Sequence, residues 1–148
     1  MIELQGSKEF TVSIDQLYPE LADLTHLVKT LPDVKSIKEV SEDKAIIVVA
    51  PGLSFIKGEL ETTIVRSSAS PHTSAELQIS SKGIGTTVKV LAAFTLTEKA
   101  DSTLLNWQAT VQELGGLLKL VPASLLKGAA TKVIEGWLNA LPEKLASR

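Results

Sequence analysis

The stretch LLKLVPASLLKGAATKVIEGWLNAL, residues 117–141, decides the fold. It is too apolar for an ordinary surface helix, although it never runs more than seven residues without a charge. Two adjacent rows at i, i+4 spacing are apolar, and this half-apolar circumference predicts a helix lying in a curved sheet. The rows are Leu117, Val121, Leu125, Ala129, Val133, Trp137, Leu141 and Leu145, then Leu118, Pro122, Leu126, Ala130, Ile134 and Leu138.

Prolines bear on the continuity of this predicted helix, and lysines bear on what it lies against. Pro122 and Pro142 predict a kink or restart near each end. Lysines on the polar side would also suit a helix lying on a membrane surface, which is the competing interpretation. These lysines are Lys119, Lys127, Lys132 and Lys144.

Alternation of apolar and polar residues predicts seven strands in the rest of the chain. The connections between residues 34 and 113 are too short for crossovers, so the sheet is predicted to be an antiparallel meander. Lys8 interrupts the apolar face of the first strand and predicts a bulge or a position at the sheet edge. The predicted strands cover residues 2–14, 34–40, 45–50, 55–65, 74–82, 88–96 and 105–111, with a loop at 67–72.

Two short helices are predicted between the first and second strands. Asp15 is the predicted N-cap of the first, which reaches about Ala22 and is expected to be split by Pro19. The second covers residues 24–31 and stops at Pro32. The sequence therefore predicts an α+β fold, in which a curved seven-stranded antiparallel sheet wraps a long C-terminal helix. Without that helix, the strands would have no cover.

Composition narrows the class of protein. The 148 residues suit one domain, 1–148, and include no cysteine, which excludes disulfides and thiolate metal sites. The net charge is −2, from 15 basic and 17 acidic residues, a poor match for nucleic acid. No signal-like or membrane-spanning run occurs, so a cytoplasmic protein is predicted.

The inward-facing positions offer little for catalysis. Apart from Lys8 they carry no Asp, Glu or His, and acid–base chemistry needs a titratable group at the reacting atom. His72 is predicted to be solvated in a loop, His26 to have a surface or packing role, and Tyr18 to cap the core with its hydroxyl in water. We therefore predict no catalytic residues, no metal site and no cofactor. The carboxylates Glu59, Glu61 and Glu76 are predicted to be solvent-facing charges.

Small inward-facing residues predict an apolar cavity between sheet and helix. They are Gly58, Ala75, Ala92, Ala109, Ala129 and Ala130. The alternative is a filled core, in which Phe94, Trp107 and Trp137 occupy the same space. The predicted ligand-binding residues are Phe55, Leu60, Thr62, Leu77, Ile79, Val90, Phe94, Trp107, Leu125, Ala129, Val133 and Trp137.

The predicted cavity would also need polar contacts for its ligand and an entrance. Thr62 and Ser81 would be the few polar groups inside, suited to one carbonyl or hydroxyl. In PGLSFIKG, residues 51–58, Leu53 and Phe55 suggest a cavity rim or membrane-touching edge, or else a hairpin that tucks Phe55 into the core. Entry is predicted beside the short helices and this loop.

Five stretches together resemble the carbon monoxide dehydrogenase CoxG family, within the START/Bet v 1-like superfamily. They are MIELQGSKEFTV (1–12), LPDVKSIKEV (31–40), PGLSFIKGELETTIV (51–65), SKGIGTTVKVLAAFTL (81–96) and VQELGGLLKLVPASLLKGAATKVIEGWLNAL (111–141). The resemblance runs essentially end to end. It implies a helix-grip fold with an apolar cavity.

The resemblance also implies a function. Members are similar to accessory proteins of molybdenum-containing hydroxylases, linked to membrane recruitment and to quinone-like or lipid-like molecules. The sequence ends at Arg148 without the extended tail of the longest members, so transient contact at the inner face of the membrane is expected. The expected partners are a hydrophobic small molecule and a redox enzyme complex. A cyclase or hydratase of the same superfamily and an interaction module with a filled core remain as alternatives.

Overall fold

The computed structural model describes residues 2–50, 58–83 and 85–146. Seven strands and three α-helices follow one another in the predicted order. They are β1 (Ile2–Phe10), α1 (Ile14–Ala22), α2 (Leu24–Thr30), β2 (Val34–Val40), β3 (Lys44–Val49), β4 (Leu60–Ser70), β5 (Ser74–Gly83), β6 (Thr86–Glu98), β7 (Thr103–Gly116), a 3₁₀ helix (Leu117–Leu120) and α3 (Ala123–Ala146).

The strands form one antiparallel sheet in the order β1-β7-β6-β5-β4-β3-β2. The predicted meander is confirmed for β2 to β7, and β1 joins beside β7. β1 is an edge strand whose register with β7 has no shift, and Lys8 lies opposite Leu105. The edge position thus accommodates Lys8, which is one of the two predicted explanations. Bulges in the β2–β3, β4–β5 and β6–β7 pairs bend the strands into a curved sheet.

Several predicted boundaries are wrong. The N-cap of α1 is Ser13, whose hydroxyl accepts from the Gln16 amide at 3.2 Å, so Asp15 falls in the first turn. α1 also continues through Pro19, because Leu17 and Leu21 are buried on its inner side and tertiary packing outweighs the lost backbone bond. α3 likewise continues through Pro142.

Two further predicted boundaries are the helix restart at Pro122 and the loop between β4 and β5. The restart at Pro122 is confirmed, because the 3₁₀ helix ends just before it and α3 begins just after. The predicted loop at 67–72 is wrong in its first part, since β4 continues to Ser70, which pairs with Ser74 of β5, and right in its last part, since the turn lies at 71–73. The first part of the strand predicted at 55–65 lies outside the described residues.

The second half of α3 is firmly held. Leu138, Leu141 and Leu145 are buried with Phe10 and Leu17 in one apolar cluster. Two hydrogen bonds add to this packing, and both converge on the last residue of α2. The Trp137 indole nitrogen donates to the Thr30 hydroxyl at 3.1 Å, and Lys144 Nζ donates to the Thr30 carbonyl at 2.6 Å.

The first half of α3 is not covered in the same way. Leu125 is 52% exposed and Val133 is 40% exposed, so the prediction that the whole apolar row is gripped by the sheet is wrong here. The reason is geometric: at 3.6 residues per turn, each i+4 step rotates a side chain by about 40°. Four such steps separate Leu125 from Leu141 and place them on nearly opposite sides of the helix. An i+4 row this long therefore cannot stay on one face.

Candidate functional site

The inner face of the sheet is the face against which the helices pack. Directly opposed residues of neighbouring strands point to the same side, so the register divides this face into rows. One row contains Gly6, Trp107, Phe94 and Ala75, and the next contains Leu4, Ala109, Ala92 and Leu77. A third contains Ile2, Val111, Val90, Ile79, Ile64 and Ala45, and a fourth contains Leu114, Val88, Ser81, Thr62 and Ile47.

The first two rows belong to a closed part of the interior. Leu4, Ala75, Leu77 and Ala109 are buried, whereas Gly6, Trp107, Phe94 and Ala92 are half-buried. Trp107 lies across Gly6, where an added Cβ would be only 2.7 Å from the indole ring. Phe94, Trp107 and Trp137 pack against the buried clusters. In this part of the molecule, aromatic side chains fill the space as the filled-core alternative required.

The third and fourth rows belong to a more open part. Along the third row, Ile64 and Ala45 are buried, whereas the four residues toward β1 are only half-buried although they are apolar. We call this part the open groove, formed by Ile79, Val88, Val90, Val111, Leu114 and Leu126, all of them half-buried.

A depression of about 470 Å³ lies at one end of the open groove. Its volume is in the range of small-molecule sites, roughly 300–1,000 Å³. Val111, Leu114 and Leu126 belong to its lining, so it is continuous with the groove, and Glu113 and Lys119 add charges to it. The remaining lining residues are Ile2, Gln112, Leu118, Val121 and Ala123.

One polar pair faces these apolar surroundings. The hydroxyl oxygens of Thr62 on β4 and Ser81 on β5 are 2.8 Å apart and hydrogen-bonded. Thr62 is buried beside Ile47, whereas Ser81 is half-buried beside Val88 of the groove. These are the two residues that the sequence pattern predicts as polar contacts inside the fold.

The other predicted ligand-binding residues fall into four sets: buried, exposed, outside the described residues and half-buried. Leu60 and Leu77 are buried, and Leu125 and Val133 are exposed. Phe55 and Leu53 lie outside the described residues. Gly58, predicted to face inward, is exposed before β4 with φ of +82°, so it leaves no internal space. The half-buried set comprises Ile79, Val90, Phe94, Trp107, Ala129 and Trp137.

Leu114 is a groove residue that the sequence pattern could not reveal. Strict alternation from Val111 would send Leu114 to the outer face. A bulge in β7 sets Val111 opposite Val90 but Glu113 opposite Lys89, so Gln112 is the extra residue. Because a bulge shifts the alternation by one residue, Leu114 turns inward.

Tyr18 has a structural role rather than an exposed hydroxyl. The phenol donates to the Ser74 carbonyl at 2.9 Å, and its ring contacts those of His72 and Phe94. The prediction that its hydroxyl lies in water is therefore wrong. Burial raises the pKa of Tyr18 above 10.0, and the positive charge of Arg66 opposes part of this shift.

The raised pKa of Tyr18 predicts a loss of stability in alkali. The phenol ionises less readily in the folded chain, so its contribution is complete below pH 10.0 and is lost as pH rises through the folded-state pKa. Tyr18 is the only tyrosine, so phenolate absorbance follows this group alone. We expect a midpoint above 10.0, and unfolding curves of Tyr18→Phe that lack this component of the alkaline loss. A midpoint at or below that value would contradict the assignment.

The remaining titratable candidates lie away from the groove. His72 is exposed as predicted, but its Nε2 lies 3.2 Å from an Asp15 carboxylate oxygen. His26 Nδ1 lies 3.5 Å from an oxygen of the buried Glu20. Lys38 points outward and donates to Glu61 at 2.6 Å, a contact that lowers the pKa of that carboxyl.

The other predicted outer-face carboxylates do lie outside. Glu59 is exposed, and a carboxylate oxygen of the half-exposed Glu76 accepts a hydrogen bond from the Ser67 hydroxyl at 3.0 Å. In the described part of the chain, no helix combines the length and the apolar character needed to cross a membrane.

Solved structures with the same fold are found in several bacteria. A conserved protein from Geobacillus kaustophilus superimposes with a TM-score of 0.89 at 22% identity, covering 99% of this chain and 96% of the other. A START superfamily protein from Mycobacterium smegmatis gives 0.72 at 14% identity, with 98% and 97% covered. A STAR-related lipid transfer protein from Xanthomonas axonopodis gives 0.65 at 14% identity, with 97% and 85% covered. These likenesses confirm the predicted helix-grip, START-like fold.

The sequence itself identifies the family. No curated protein matches the chain significantly. The family model of the carbon monoxide dehydrogenase component CoxG, however, matches residues 6–146, nearly the whole chain. The chain therefore belongs to the CoxG family.

Proposed function

We propose that this protein binds a hydrophobic small molecule, quinone-like or lipid-like, in the open groove and does not transform it. The observation that carries the proposal is the row Ile2, Val111, Val90 and Ile79, whose apolar side chains face inward yet remain half-buried. Apolar surface left uncovered inside a fold can be buried by an apolar guest, and this burial is favourable.

The comparisons support this binding role. The Xanthomonas axonopodis neighbour is described as a lipid transfer protein, and it shares this fold over 97% of the present chain. The CoxG family is named after a component of carbon monoxide dehydrogenase. We therefore propose an accessory role beside a redox enzyme of the molybdenum hydroxylase type, to which the bound molecule would be delivered.

Transient contact with the inner face of the membrane is part of this proposal. Leu117, Leu120 and Leu125 are exposed apolar side chains around the start of α3, and the nearby Lys119 and Lys127 are also exposed. Leucines beside lysines suit the surface of a bilayer that contains anionic lipids.

The ligand is proposed to enter at the junction of β7, the 3₁₀ helix and α3, where the depression opens. The entrance predicted beside the short helices and the loop at 51–56 stays a prediction, because that loop lies outside the described residues. The first position is preferred here because Leu17, Leu21, Leu24 and Leu27 of the short helices are buried.

The alternative functions receive less support from the described residues. A cyclase or hydratase would use Tyr18, His26 or Lys38, but the Tyr18 hydroxyl is bonded to the Ser74 carbonyl and Lys38 points outward to Glu61. His26 lies on α2 beside Glu20. A filled-core interaction module accounts for the first two rows, but it would not need the depression of about 470 Å³ at the end of the open groove.

Native mass spectrometry of the purified protein, followed by organic extraction, tests the proposed function. We expect an apolar molecule bound in near-stoichiometric amount, which the extract then identifies by class. A protein that is empty, and that takes up neither quinones nor fatty acids when they are added, would overturn the proposal.

A further inference from the structure

We propose that the Thr62–Ser81 hydroxyl pair selects ligands that carry an uncharged oxygen, a carbonyl or a hydroxyl, over hydrocarbons and over carboxylates. This inference rests on the proposed function and specifies the polar end of the molecule bound in the groove. It follows from the position of the pair, from its hydrogen-bonding capacity and from the charges around it.

The pair is placed where a ligand in the groove would meet it. Ser81 lies opposite Val88, and Val88 lies opposite Leu114, so Ser81 adjoins the groove within a single row. Thr62 lies on the far side of Ser81 and is only 6% exposed. Ser81 is therefore the member that can reach a ligand, and Thr62 is the member that orients it.

The hydrogen-bonding capacity of the pair exceeds its internal bond. Two hydroxyls carry two protons, and the contact at 2.8 Å uses one of them. If Thr62 donates to Ser81, the Ser81 proton can be donated to a ligand carbonyl. If Ser81 donates to Thr62, the Ser81 oxygen can accept from a ligand hydroxyl. Either arrangement favours an oxygen-bearing ligand over a hydrocarbon.

The charges around the pair disfavour an anion. On the inner face Ser81 is surrounded by Thr62, Ile79, Gly83 and Val88, which are all uncharged. The adjacent Lys82 points to the outer face, where its Nζ lies 4.0 Å from a Glu61 oxygen. Among the described residues that neighbour Ser81 on β4, β5 and β6, a carboxylate would thus leave water without a counter-ion, which is costly.

Lys119 belongs to the lining of the depression at the end of the groove, where Glu113 is also present. Two inner-face cations on the strands are occupied or distant. Arg66 donates to the Ala22 carbonyl at 2.8 Å. Lys8 lies opposite Leu105 on the edge strand, beyond the row that contains Gly6 and Trp107, and its Nζ is 5.6 Å from the centre of the Phe10 ring. Neither cation shares a row with Ser81 on the described strands.

The test compares probes of equal carbon number: an alkane, its primary alcohol, its methyl ketone and its carboxylate. Each displaces an environment-sensitive apolar dye from the full-length protein. We expect the alcohol and the ketone to bind tighter than the alkane by about three- to ten-fold, the contribution of one neutral hydrogen bond. The carboxylate is expected to bind more weakly than the alcohol.

The double variant Thr62→Val/Ser81→Ala is expected to abolish this preference, so that the alcohol and the ketone bind no tighter than the alkane. Both partners are removed together, so no buried hydroxyl is left unpaired and the fold is expected to tolerate the change. The matched control is Thr63→Val/Ser80→Ala. Thr63 and Ser80 oppose each other on the same two strands but on the outer face, and their loss should leave the preference intact.

The outcomes separate the two proposals. If the alkane binds but the alcohol and ketone bind no tighter, or if the carboxylate binds tightest, this inference is overturned and the proposed function stands. If no probe binds and the dye itself is not taken up, the proposed function fails, and this inference with it. The ranking on the unmodified protein decides between these results even if the double variant is unstable.

Discussion

Replacing Leu141 by alanine is expected to lower the free energy of unfolding by about 2–5 kcal/mol, as large-to-small changes in close-packed cores do. Leu141 has no exposed surface and belongs to the cluster that joins α3 to β1 and α1. The lost methyl and methylene groups would leave a cavity that neighbours such as Phe10 and Leu138 can only partly fill. Because small proteins are stable by about 5–15 kcal/mol, this change is a large fraction of the total. Urea unfolding followed by circular dichroism measures it.

The matched control is Leu125→Ala on the same helix. Leu125 is 52% exposed, so its truncation removes little buried area and is expected to cost less than about 1 kcal/mol. A large difference between the two variants would show that α3 is anchored through its second half. Equal losses would contradict that conclusion, because they would require the first half to be packed as tightly as the second.

Much of the fold follows from local pattern in the sequence. Period-two alternation identifies each strand, and short connections make the sheet antiparallel. Lys8 on an otherwise apolar face predicts a bulge or an edge position, and the second is confirmed, because at an edge its ammonium group can reach water. The prediction that the sheet covers the whole apolar row of the helix fails. Residues at i+4 spacing do not form one fixed face, because the row rotates steadily around the helix axis.

The candidate site was less predictable, because it depends on register between strands. The pattern placed Thr62 and Val90 inward, and both do face inward. It could not show that Gly6 makes room for the Trp107 ring, which fills one part of the interior. Nor could it show the extra residue Gln112, which turns Leu114 into the groove. Both features arise from the pairing of distant segments.

Replacing Val90 by tryptophan is expected to weaken the binding of every hydrophobic probe by about 10- to 100-fold, the range that steric overpacking of a binding site gives. Val90 is half-buried in the centre of the third row, between Val111 and Ile79. The larger side chain would extend into the groove and occupy the volume that a ligand would need. Dye displacement with the alkane and its alcohol measures the effect.

The control for this variant is Leu91→Trp, on the same strand but on the outer face. Leu91 is also half-buried, so the same large side chain is introduced while the groove is left open, and binding should stay within about two-fold, the scatter expected of surface substitutions. Comparing the alkane and alcohol affinities also distinguishes this variant from the Thr62→Val/Ser81→Ala variant. Filling the groove should weaken alkane and alcohol alike, whereas removing the Thr62 and Ser81 hydroxyls should abolish the difference between them. Unchanged binding in a folded Val90→Trp protein would mean that the ligand lies elsewhere on the molecule.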